Sequence, residues 1–172
     1  MSVPCAPEPR LSPSAQRVQA ALEASGFAHL RVYESAESTR TAEEAAAAVG
    51  CAVGQIVKSL IFCTRETRRP ILALTAGHNR VHEKTLARLV GEGLERADPA
   101  FVREVTGFAI GGVAPLGHPA PILTFIDEDL LTQGDLWAAA GTPNAVFGLS
   151  AAALVTLTNG RVAAFTRRPA GA

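Results

Sequence analysis

Two segments of the chain combine residue types that can do chemistry. In Gln55-Ile56-Val57-Lys58-Ser59-Leu60-Ile61-Phe62 a cation interrupts an apolar, strand-like run, and Lys58 is one of only two lysines in a sequence whose other basic residues are arginine. An ammonium is costly to bury without a partner, so Lys58 must reach water, a carboxylate or an anionic ligand. By strand alternation it shares a face with Ile56, Leu60 and Phe62 and turns away from Ser59. Two roles fit: an edge lysine that discourages aggregation, or a compact cation at a pocket mouth that holds a phosphate or polarises a carbonyl. The second segment is Thr106-Gly107-Phe108-Ala109-Ile110-Gly111-Gly112-Val113-Ala114-Pro115-Leu116-Gly117-His118. Here a strand over Phe108 to Ile110 is expected to enter a turn. Glycine lets a ligand approach the main chain closely, and Pro115 fixes one φ and removes one donor. The segment is either a plain strand-ending turn or a stiff loop whose amides grip carbonyls, hydroxyls or phosphates.

Other reactive residues have blander readings. Cys5, Cys51 and Cys63 share no metal-type spacing, and the latter two are expected as buried thiols in a reducing cytoplasm. His78 and His82 lie four apart, but Asn79-Arg80 between them reads as a turn into a helix, so no metal site is expected. Asp127, Glu128 and Asp129 fit an acidic helix start. Trp137 is expected in the core or at an interface, and His118 as an exposed cap. A formal net charge of zero argues against non-specific coating of nucleic acid. The cations are grouped, however: Arg65, Arg68 and Arg69; Arg80, Lys84 and Arg88; Arg161, Arg167 and Arg168. These are ordinary solvated faces, or contacts to the backbone of a large RNA whose end enters a pocket.

The elements that must position these residues follow from local signals. A helix is expected from Ser12 to Ser25, started by Ser12 or Ser14 with Pro13 and stopped at Gly26. A strand follows over Leu30 to Tyr33. Thr41-Ala42-Glu43-Glu44 reads as a capping box for a helix ending near Gly50. Ile56 to Cys63 and Pro70 to Ala76 read as a hairpin across the charged turn Thr64 to Arg69. Helices are expected over Glu83 to Val90, over Ala100 to Val105 with Asp98-Pro99 as cap and first turn, and after a capping Ser150. Strands are expected over Leu94 to Ala97, Ile122 to Ile126, Leu136 to Ala140, Ala145 to Leu149 and Val162 to Phe165. The 172 residues make one domain, with residues 1–13 as a flexible leader and 167–172 as a tail. The fold class is α+β: a mixed, curved sheet or partial barrel surrounded by helices. No apolar run approaches a membrane span.

Taken together, the two segments resemble the YbaK-type deacylases and the related editing domain of bacterial prolyl-tRNA synthetases. Val57-Lys58-Ser59-Leu60 is similar to that family's lysine strand, and Thr106 to Gly117 to its glycine–proline loop. The flanking helices, Pro121 to Asp127 and the Ala140-Gly141 turn match too, so the resemblance runs from about Ala15 to Phe165. It implies hydrolysis, in trans, of the ester joining a wrong amino acid to the 3′ end of a tRNA, with tRNA-Pro as the expected carrier and prolyl-tRNA synthetase as a partner. No cofactor or metal is implied. Lys58 would bind the terminal phosphate or adenosine. Backbone N–H groups of Gly111, Gly112, Val113, Ala114 and Leu116 would orient the ester and its developing oxyanion, with Pro115 and Gly117 completing the loop. Tyr33 and Thr41 match pocket-lining positions, and Gly141-Thr142-Pro143-Asn144 the loop closing the other side. The family's cysteine-editing members have a serine and an aspartate where this chain has Ala139 and Val146, and the histidine common in its alanine-editing members is not found. The less polar wall suits a small apolar side chain such as alanine. A non-catalytic module binding aminoacyl-tRNA or a synthetase is the alternative, and a small-molecule esterase a third reading.

Overall fold

The structure is a computed structural model that describes residues 10–168. Most of the expected leader therefore lies outside the described residues, as do residues 169–172 and Cys5. Ten strands are present: β1 (Val32–Glu34), β2 (Ile56–Thr64), β3 (Pro70–Ala76), β4 (Arg80–Val81), β5 (Leu94–Arg96), β6 (Leu123–Asp127), β7 (Leu136–Ala139), β8 (Ala145–Leu149), β9 (Arg161–Ala163) and β10 (Thr166–Arg167). Five α-helices accompany them: α1 (Pro13–Ala24), α2 (Ala42–Val49), α3 (Glu83–Val90), α4 (Pro99–Thr106) and α5 (Ala151–Thr158). Eight strands form one mixed sheet in the order β1-β8-β7-β2-β3-β6-β9, with β5 added to the end of β2, while β4 and β10 form a separate ribbon. The architecture is a mixed α+β domain.

The sheet has a core on each face. Val57, Ile61, Leu72, Leu74 and Ile126 face a larger cluster closed by α1, α4 and α5 through Val18, Leu22, Val102 and Leu154. Phe62, Ile71, Ala73 and Phe125 face a smaller one with Leu86 of α3 and Phe165. Phe108, Phe147 and Phe165 are fully buried, each stabilising the fold by about 1.5–3 kcal/mol relative to exposure. The helix starts follow their signals: the hydroxyls of Ser12, Thr41 and Ser150 and the carboxylate of Asp98 each accept an amide three residues on. Glu44 closes its box one residue early, accepting the Arg40 N–H at 2.6 Å. Among the described residues no helix is long and apolar enough to cross a membrane.

Several local expectations change. Phe108–Ile110 is not a strand: the Thr106 hydroxyl takes the Phe108 amide at 3.0 Å, and Phe108 turns into the core instead of finding a ladder. Asn79-Arg80 does not lead directly into a helix, because Arg80 and Val81 pair with Arg167 and Thr166. The expected Val162–Phe165 strand is present only as β9, which ends at Ala163, and the β4 pairing adds β10 just beyond it, which brings Arg167 onto the domain. Cys63 is buried as expected, but Cys51 is half-buried.

Candidate active site

Uneven pairing along β2 opens a cavity. On one edge β2 pairs with β3 from Val57 to Cys63. On the other edge β7 takes only Ile56 and Val57, running parallel, and β5 takes only Phe62 to Thr64, running antiparallel. Between them Lys58–Ile61 have no strand neighbour on that edge, and a cavity of about 400 Å³ fills the gap. The direction of the main-chain groups there can be deduced. The Ala97 N–H donates to the Ile61 carbonyl at 3.3 Å, so Ile61 faces away from β3. Main-chain groups alternate along an antiparallel ladder, so those of Ser59 face the same gap.

Lys58 lines this cavity and is half-buried. Its Nζ donates to the carbonyl of Asn79 at 2.6 Å, and among the described residues no carboxylate lies within 4.0 Å of it. An ammonium has three N–H donors, which leaves two for a ligand. Burial pushes the Lys58 pKa below its ordinary value; Glu43 and Asp127 pull it back up, and Arg80 adds to the fall. The anchoring residue is itself pinned. Asn79 is fully buried, and its amide group donates to Asp127 Oδ2 at 2.9 Å and Asp129 Oδ2 at 2.7 Å. Asp127 also accepts the amide of Ala76 and the hydroxyl of Thr166. The acidic run that resembled a helix start is thus also a buried support for the lysine.

Across the cavity stands the glycine loop. Ile110, Gly111 and Val113 line the wall, and among the described residues no protein acceptor engages the amides of Gly111 and Val113. Gly112 does not serve as the expected donor: its amide is spent on the Ala109 carbonyl at 3.0 Å, and it lies off the cavity wall. It is instead a packing glycine. A Cβ there would stand 2.7 Å from Thr142 Cα and 2.8 Å from the Gly141 carbonyl group. Ala114 and Pro115 are buried beneath the wall, Gly117 packs on Phe108, and Gly141 lies against the Ser14 main chain. All four shape the loop from behind rather than line the cavity. His118 is half-buried, not an exposed cap; its Nε2–H donates to the Ala114 carbonyl at 2.8 Å, and its ring meets Phe108 edge-on. Burial pushes its pKa down, against the raising effect of the Ala114 hydrogen bond.

Thr41 and Val146 line the cavity, although the Thr41 hydroxyl is occupied by the Glu44 amide. Tyr33 does not line it. It stands opposite Val146 on β1 and is 62 % exposed, at the rim. Val102, Ala138 and Val146 make the wall apolar. The sequence reading missed Trp137, Ile110, Arg40 and Arg96, all on the lining, whereas Thr142 of the expected closing turn is there as expected. Alternation in Leu136–Ala139 does put Trp137 with Ala139. What hid it was the parallel pairing of Trp137 with Ile56, about 80 residues away in sequence. Thr142 is held by Glu34 Oε1 at 3.0 Å, which ties the closing turn to β1.

Residues 36–157 match the family model of the aminoacyl-tRNA editing domain. A candidate Cys-tRNA(Pro)/Cys-tRNA(Cys) deacylase of Enterococcus faecalis, EbsC, is 28% identical over 133 residues, covering 77% of this chain and 80% of EbsC. A proline–tRNA ligase of a Thermoanaerobacter species is 29% identical over 96 residues, 54% of this chain but 16% of the ligase. A solved structure of a candidate trans-editing enzyme for prolyl-tRNA synthetase superposes with a TM-score of 0.87 and 52% identity, covering 92% of this chain and 99% of that one.

Proposed function

The chain belongs to the aminoacyl-tRNA editing domain family, and from that premise we propose how its cavity acts and on what. The protein is an aminoacyl-tRNA deacylase that hydrolyses the ester between an amino acid and the tRNA 3′ end. Its substrate on this proposal is tRNA-Pro carrying a small apolar amino acid, alanine foremost. The observation that carries this reading is that apolar Val102, Ala138 and Val146 line the same cavity as Lys58, at a gap in the sheet. One methylene in such a pocket changes selectivity by about 1–3 kcal/mol, enough to favour alanine over larger residues.

In this reading the free N–H donors of Lys58 hold the terminal phosphate or adenosine and so place the ester. The amides of Gly111 and Val113 offer unspent donors to the carbonyl as it becomes an oxyanion. Water adds to the carbonyl carbon, the acyl C–O bond to the ribose breaks, the departing ribose oxygen takes one of that water's protons, and the other passes to solvent. The amino acid leaves as its carboxylate. An aminoacyl ester is already activated, so positioning beside water supplies the needed acceleration and no side-chain nucleophile is required. The protein would act in the cytoplasm, beside prolyl-tRNA synthetase.

A deacylation screen with alanyl-, cysteinyl-, seryl- and 2-aminobutyryl-tRNA-Pro tests this proposal. Release of alanine faster than cysteine or serine is expected, with Lys58→Ala losing most of the rate. Preference for serine, or full activity of Lys58→Ala, would overturn it.

A further inference from the structure

We infer that the basic face built by β4, β10 and the start of α3 holds the phosphate backbone of the tRNA acceptor end, an inference that rests on the deacylase reading above. Arg80 directly follows Asn79, whose carbonyl holds Lys58 Nζ at 2.6 Å. The face therefore begins one residue from the carbonyl that holds the cavity's own lysine. Arg80 pairs directly with Arg167 across the β4–β10 ribbon, and residues opposite one another on an antiparallel pair point to the same side. On α3, Lys84 and Arg88 lie one turn apart and exposed, with Arg88 Nε against the Lys84 carbonyl at 3.5 Å. His82 joins the two halves: it caps the start of α3, and its main-chain N–H donates at 2.8 Å to the carbonyl of Phe165, the residue just before β10.

The fold leaves these cations without partners. Among the described residues none of Arg80, Lys84, Arg88 and Arg167 has a carboxylate within 4.0 Å, whereas Arg168 next door is paired with Asp129 at 3.1 Å and Arg68 with Glu95 at 2.6 Å. Glu83 is the one acid in the first turn of α3. Like charges placed directly opposite on a ribbon are destabilising, so the free protein carries a cost that a row of anions would relieve. The formal net charge is zero, so attraction to RNA must come from a local face such as this. Four separated cations suit successive phosphates better than a single carboxylate, and such contacts position a nucleic acid without reading its sequence.

The test is the salt dependence of binding to uncharged tRNA-Pro by the full chain, compared with the triple variant Lys84→Gln, Arg88→Gln, Arg167→Gln. Each lost phosphate contact should lower the slope of log affinity against log salt by roughly 0.7–0.9. The triple variant is expected to fall by about two in slope and at least about tenfold in affinity near 0.1 M salt. Its thermal midpoint should stay level or rise, since a like-charge pair has been relieved. Arg31→Gln, which removes a cation already paired with Glu23, should change neither slope nor affinity. An unchanged slope in the triple variant, or an equal drop in Arg31→Gln, overturns the assignment. Wild-type protein that deacylates tRNA while the triple variant binds normally refutes only this face; wild-type protein that deacylates no tRNA refutes the reading beneath it.

Discussion

The two walls of the cavity are built by opposite means. The lysine wall is regular: β2 is locked to β3 over seven residue pairs, and a buried polar network of Asn79, Asp127 and Asp129 fixes the carbonyl that holds Lys58. The glycine wall is irregular main chain, held by contacts a side chain would forbid. Gly112 meets the Gly141–Thr142 backbone, Arg17 donates to the Gly107 carbonyl at 2.7 Å, and its guanidinium sits 4.3 Å from the Phe108 ring centroid. The first wall is stiffened by hydrogen bonds and presents a charge. The second is stiffened by close packing and presents bare amides. An ester needs both kinds of contact, one for the anionic or hydroxylated carrier and one for the carbonyl that becomes charged during reaction.

The largest effect should come from the charge itself. Lys58→Ala is expected to lower kcat/KM on alanyl-tRNA-Pro by at least about a hundredfold, the scale of losing one preorganised electrostatic contact. Thermal stability should hold, because a half-buried ammonium has been removed; a collapse in Tm that matches the loss of activity would make Lys58 structural. Next come the supports of each wall. Asn79→Ala leaves Asp127 and Asp129 short of a donor and should cost about 1–3 kcal/mol in denaturant unfolding. The Lys58 anchor is the Asn79 main-chain oxygen, so kcat should fall less than stability does. Gly112→Ala should cost a similar 1–3 kcal/mol through overpacking, but with KM and kcat both damaged because the loop must shift. Equal activity in Gly112→Ala and wild type would mean that the packing contact does not set the site.

Smaller effects separate the walls further. Arg17→Ala removes a cation–π contact worth about 0.5–1 kcal/mol at an exposed site and should raise KM several-fold without moving the pH profile. The pH profile belongs to the lysine. The folded-state pKa of Lys58 lies below the ordinary 10.5, so between the two values the unfolded chain holds more protons and stability rises with pH. Activity that needs the ammonium falls across the same window. The basic limb of kcat/KM, corrected for uncatalysed hydrolysis, should therefore lie below 10.5 and vanish from the residual rate of Lys58→Ala.

The two walls also differ in how far the sequence disclosed them. The β2–β3 hairpin was legible because a charged turn separates two apolar runs, and Lys58 stood out as a cation in one of them. The helix caps were legible because Ser12, Thr41, Asp98 and Ser150 act within three residues of themselves. What stayed hidden depends on distant partners. The gap in the sheet exists because β7 and β5 take opposite ends of β2, a matter of register that no local pattern encodes. Likewise Gly112 read as a donor because glycine permits close approach; that the approaching group is the protein's own Gly141–Thr142 backbone was visible only in three dimensions. The β4–β10 ribbon joins distant segments, pairing Arg80 with Arg167 and Val81 with Thr166, and its short strands carry little signal of their own.

The most direct measurement is a crystal structure with a non-hydrolysable 3′-alanylamino-adenosine. The expected result is the alanyl group in the gap between β7 and β5, its methyl against Val102, Ala138 and Val146, with Lys58 Nζ bonded to the nucleoside end and the carbonyl beside the Gly111 and Val113 amides. Density for the analogue elsewhere, such as the groove lined by His29, Trp137 and Ser150, with the gap empty, would contradict the assignment of the active site.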